Sequence, residues 1–104
     1  MRIGIVRGTV VLSRAVEALK GTRMLVVEPV MAENFANKNG LGGGKALIVA
    51  DHLAPAVGQM VAFTEGREAA NPYWPGDAPV DAYAALIVES ADFRPFSKES
   101  DGLR

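Results

Sequence analysis

Glycine and proline punctuate this 104-residue chain so often that its apolar residues fall into five short, β-branched runs. None has the sustained three-to-four spacing of a long helix. That pattern confines the fold to a sheet of short strands. Residues 2–13 carry apolar positions first on odd numbers (Ile3, Ile5) and then on even ones (Val6, Val10, Leu12), and the change of parity beside Gly8 predicts a bulge or sharp bend. In "SRAVEALKG", Ser13 is a candidate cap for a single helical turn that Gly21 ends, with Val16 and Leu19 on one face. "TRMLVVEPV" reads as the second strand, with Pro29 at its end or on an unpaired edge.

"MAENFANKNGLGGGK" loses all periodicity and reads as a long hairpin loop. Residues 45–50 and 59–64 form strands three and four around the loop "DHLAPAVG". "EGREAANPYWPGDAP" allows one helical turn over 65–70, stopped by Asn71 ahead of Pro72, and "VDAYAALIVESADF" supplies the fifth strand. The expected fold is all-β: a five-stranded OB-like Greek-key barrel with one or two short helical turns. The barrel domain spans 1–93, and 94–104 form a polar tail.

A formal charge of −1, from 11 basic and 12 acidic residues, supplies no field for binding phosphate, so no nucleic-acid partner is expected. With no cysteine there is no disulfide or thiolate metal site, which suits a reducing cytoplasm and leaves a metal only His52, carboxylates and carbonyls. Arg7 interrupts the apolar N-terminus, and no run approaches the roughly 20 apolar residues of a membrane helix, so no membrane is expected either.

Several stretches invite a chemical reading. "GLGGGKA" suggests a phosphate loop, but Asn39 stands where the first glycine belongs and Ala46 where a hydroxyl belongs; a flexible hairpin tip fits better. Asp51 and His52 look like a base with its carboxylate, yet neighbours in a strand point to opposite faces and no serine or cysteine nucleophile is at hand. The plainer reading has Asp51 capping loop amides while His52 packs at a barrel end. Glu65 with Glu68, and Asp77 with Asp81, are carboxylate pairs in turn-rich sequence, where acids cap amides or face water. Tyr73 and Trp74 offer stacking surfaces without a basic groove, so local packing of their loop is expected.

The segments "VRGTVV", "ALKGTRMLVVEPV", "VADHLAPAVGQMVAFTEGREA" and "APVDAYAALIVES" resemble, in the same order, the signature blocks of the EutN/CcmL family, the pentameric vertex proteins of bacterial microcompartment shells. The resemblance covers about residues 1–92. Its departures are specific: the family's G-A-G element is replaced within "LAPAVG", Gln59 stands for the usual glutamate, and "EGREAA" lacks a double serine.

The resemblance implies a cytoplasmic structural protein without catalytic set, cofactor or metal, forming a homo-pentamer beside hexameric and trimeric shell proteins. It also implies where the copies meet. The small residues Ala54, Ala56, Gly58, Gly66 and Ala69 suit close approach at a crowded axis, Arg67 and Asp81 are candidate interchain contacts, and His52, Pro55 and Gln59 complete the candidate interface or pore loop. Two rivals stand beside this reading: a stand-alone OB-type binding module for oligosaccharide or nucleic acid using Tyr73 and Trp74, and a small enzyme built on Asp51, His52 and Glu65.

Overall fold

The computed structural model describes residues 1–31, 45–74, 76 and 78–90. The expected glycine-rich hairpin loop, apart from its two ends, and the polar tail lie outside them. The five strands are β1 (Arg2–Val10), β2 (Arg23–Pro29), β3 (Leu47–Asp51), β4 (Met60–Glu65) and β5 (Ala82–Val88), with 3₁₀ segments at Glu17–Leu19 and Gly66–Tyr73. They close into a barrel in the order β1-β2-β3-β5-β4, the last pairing back onto β1. All seams are antiparallel except β3–β5, which is parallel and rests on a single residue pair, Ala50 with Tyr83.

Alternation along the strands sends Val6, Leu25, Val27, Val49, Val61 and Phe63 inward, where Ala82 and Ala84 complete a fully buried core. Gly4 also points inward, and only a glycine fits. A β-carbon there would collide with Val27 Cγ1 and lie 2.9 Å from the Glu28 carbonyl and 3.2 Å from the Phe63 ring. The parity change beside Gly8 is a bulge, since the β1–β2 register shifts between Val6 and Gly8. A second irregularity, between Ala62 and Phe63 in the β4–β5 ladder, leaves Ala85 without a register partner.

Three local expectations are corrected. β1 ends at Val10 rather than residue 13, because β2 begins at Arg23 and its first β1 contact pairs Met24 with Val10; Val11 is left 91% exposed. Ser13 does not cap the first turn: the turn spans only Glu17–Leu19 and has no side-chain cap, although Gly21 at φ +82° does terminate it. The second 3₁₀ segment runs through Pro72 to Tyr73. Its last turn is closed by the Trp74 N–H donating to the Asn71 carbonyl at 3.0 Å, which places Pro72 at the second position of a turn, where a fixed φ helps and no N–H is needed. Pro29, by contrast, ends β2 as expected, opposite Gly4.

Candidate functional site

The 51–59 loop is organised by its first residue. Asp51 is fully buried, and its two carboxylate oxygens accept from the Leu53 N–H at 3.0 Å and the Ala54 N–H at 2.8 Å. A buried carboxylate is tolerable only with such partners, and here they double as a local turn. Ala54 follows in the left-handed region at φ +58°. That is a conformation glycine adopts freely and alanine resists.

The far end of the loop is tied to β1. Gly58, at φ +95°, donates to the Val6 carbonyl at 2.7 Å, and the Val6 N–H donates back to the Gln59 carbonyl at 2.9 Å. Gln59 closes the turn twice: its N–H reaches the Ala56 carbonyl at 3.0 Å while its Oε1 accepts the Ala56 N–H at 2.7 Å.

His52 leaves the barrel on the opposite side from its neighbour and joins a cluster drawn from four segments. Its Nδ1 lies 2.7 Å from the Tyr83 hydroxyl and its Nε2 lies 3.1 Å from Thr22 Oγ1, which is itself 3.1 Å from the Tyr73 hydroxyl. The three rings pack at centroid separations of 5.4 to 5.9 Å, with Tyr83 edge-on to both others. Burial raises the Tyr83 phenol above its usual 10.0, helped by the nearby Tyr73 and Asp51. Sequence reasoning had no access to Thr22 or Tyr83. The only trace was an aromatic at the outward position between the inward Ala82 and Ala84.

The third piece follows β4. Gly66, at φ +74°, donates to the Asp81 carbonyl at 2.9 Å, joining the 3₁₀ segment to the residue before β5. At the end of β4, Arg2 grips Glu65 through two hydrogen bonds of 2.7 and 3.0 Å and lies 5.5 Å from the Phe63 ring centre. This pairing holds the Glu65 carboxyl below its usual range and raises the guanidinium.

Of the candidate residues, His52, Ala54, Ala56, Gly58, Gln59, Gly66, Arg67 and Asp81 are exposed, whereas Pro55 and Ala69 are buried within the chain and support the loops from beneath. The His52–Tyr73 contact brings the 51–59 loop and the 66–73 segment together. Chemically the set is occupied. The Asp51 carboxylate is held by backbone amides, both His52 nitrogens face hydroxyls, and Glu65 is paired with Arg2. Trp74 does not pack locally as expected, being 82% exposed, while Tyr73 is engaged with His52. Among the described residues no group of three histidine or acidic side chains is placed to hold a metal, and no helix is long and apolar enough to cross a membrane.

Comparison with known proteins gives a consistent result. The profile of the family described as ethanolamine utilisation protein EutN/carboxysome matches residues 1–89. The chain is similar to the GrpN pentameric microcompartment shell protein of Rhodospirillum rubrum, at 26% identity over 91% of this chain and 100% of that one, with a TM-score of 0.73. It is also similar to CcmL of Gloeobacter violaceus, at 30% identity over 95% and 99% of the two chains with a TM-score of 0.69. For CcmL of Nostoc sp. PCC 7120 the values are 26%, 88%, 92% and 0.72. Among curated protein sequences none matches.

Proposed function

This chain belongs to the EutN/CcmL family, and from that premise we infer that it is a structural shell protein of a bacterial microcompartment, assembling as a pentamer that caps the vertices of the shell. The carrying observation is the joint match of family profile and closed barrel: one profile spans residues 1–89, and a pentameric shell protein overlies 91% of the chain. A sheet of hexagonal tiles needs five-fold corners to curve shut, and the work asked of such a corner is geometric. The engaged state of Asp51, His52 and Glu65 fits that role better than proton transfer.

Within this reading the exposed loops around Ala54, Ala56, Gly58 and Gly66, with His52, Gln59, Arg67 and Asp81, form contacts between copies near the five-fold axis. Hexameric and trimeric shell proteins surround the ring in the cytoplasm. Native mass spectrometry of the purified chain tests this. The expected species contains five 11.0 kDa chains at micromolar concentration; a persistent monomer, or a ring of another multiplicity, overturns it.

A further inference from the structure

A 3₁₀ helix has three residues per turn, so side chains three apart stand in one row, and runs beyond three or four residues are uncommon. The Gly66–Tyr73 segment is eight residues long and sorts its side chains into three such rows. One row is buried at Ala69, where the segment packs on β4 and β5. A second, with Arg67 and Ala70, ends at Tyr73 in the His52 cluster. The third is Glu68, Asn71 and Trp74, and all three are exposed. Trp74 belongs to this row because its φ of −55° still continues the helix; only its ψ of 141° turns the chain away.

The row is held in place but left unsatisfied. The Trp74 N–H donates to the Asn71 carbonyl at 3.0 Å, the Gly76 N–H donates to the Tyr73 carbonyl at 2.9 Å, and Pro72 fixes the backbone between them. Tyr73 is pinned in turn by the Thr22 hydroxyl at 3.1 Å and by the His52 ring. A partner that covers the indole therefore has little backbone left to order. Among the described residues, the Glu68 carboxylate and the Asn71 side-chain amide have neither a hydrogen bond nor an ion pair, since Arg2, Arg7 and Lys20 are taken up by Glu65, Glu28 and Glu17. The Glu68 carboxylate leans back over the first turn, its Oε2 3.7 Å from where a β-carbon on Gly66 would stand.

Charge decides what such a row can hold. The face of an indole and an unpaired carboxylate both attract a cation and repel an anion. Glu68 and Trp74 are two turns, or about 12 Å, apart along the segment, and the carboxylate leans away from the ring, so one cation does not serve both. An extended peptide covers that distance in four residues, at about 3.3 Å each. We propose that this row docks an extended basic segment of another protein, with an arginine stacked on the Trp74 ring and a second basic residue, four positions away, paired with Glu68. Arginine suits the ring because its planar guanidinium stacks on an aromatic face, and the Asn71 amide lies midway to bond the peptide backbone. This chain's own Arg94 and Lys98 have the same spacing, but β5 ends at the far end of β4 from the row: Val88 lies opposite Met60, and the row begins beyond Glu65. The surface is complete within one chain and a third of a turn from Arg67, so it goes beyond the shell reading and does not depend on the number of copies.

Trp74 is the only tryptophan in the chain, so its emission reports the site directly. The probe is a synthetic glycine–serine peptide with two arginines four positions apart, added to the purified assembly at low salt. Emission should change saturably. The apparent affinity should fall about threefold when the arginines are adjacent, and about threefold again in the Glu68→Gln variant, which alters an exposed side chain only. A peptide with glutamates in place of the arginines should leave the emission unchanged. No saturable change with the spaced peptide, equal affinity for the adjacent pair, a response to the glutamate peptide, or undiminished binding by Glu68→Gln each overturns the proposal. A full-length Arg94→Ser, Lys98→Ser variant should bind as the wild type does; binding seen in that variant alone would make the occupant the chain's own tail and overturn the assignment to another protein. A wild-type ring of other than five copies overturns the pentameric reading and leaves this titration to be judged by itself.

Discussion

The β1–β2 seam and the β3–β5 seam close the same barrel by different means. Along β1–β2 the backbone pairs from Gly4–Pro29 to Val10–Met24, and the core presses on it so closely that a glycine is needed at position 4. Along β3–β5 the backbone meets only at Ala50 and Tyr83, and side chains carry the closure: Tyr83 to His52, His52 to Thr22, Thr22 to Tyr73. The first seam therefore depends on volume and peptide hydrogen bonds, which resist any change of shape. The second depends on polar atoms at the tips of rings, which lose stability one contact at a time.

The contrast has measurable consequences. Gly4→Ala forces a methyl group into filled space and should cost about 3 kcal/mol in denaturant unfolding; a loss below about 1 kcal/mol would mean the β1–β2 seam yields as readily as the other. Tyr83→Phe removes only a hydroxyl and should cost about 1 kcal/mol. Combined with His52→Ala it should cost clearly less than the two single losses together, since both break the same link; strict additivity would show that the cluster does not act as a unit. The smallest effect is a pH dependence. Tyr83 titrates above 10.0 in the folded protein, so the unfolded chain releases the phenolic proton first. Its contribution is fully present below pH 10 and is lost as the pH rises through the folded value. Melting temperatures across that range should fall more steeply for the wild type than for Tyr83→Phe.

What could be read from the sequence follows the same division. The bulge in β1 was legible because side-chain parity is a local property, and it appears as the register shift between Val6 and Gly8. Asp51 as a turn-forming cap was legible because its partners lie two and three residues away. The barrel itself followed from the number and length of the apolar runs. The side-chain closure of β3–β5 was not legible, because Thr22, His52, Tyr73 and Tyr83 are far apart in the chain and meet only after every strand is in register. The expected turn over 65–70 falls short of the Gly66–Tyr73 segment because a residue ahead of proline is disfavoured in a helix, whereas a proline at the second position of a turn favours that turn.

Each of the five strands has a hydrogen-bonded neighbour on either side. Among the described residues, another copy thus meets paired strand edges everywhere but along the β3–β5 seam, where the His52, Tyr73 and Tyr83 side chains stand in the way of a strand that would zip on, the usual route by which β-rich chains clump. Any attachment between such cylinders has to be written in side chains, and a contact written that way can be strengthened, weakened or redirected by one codon without disturbing the cylinder.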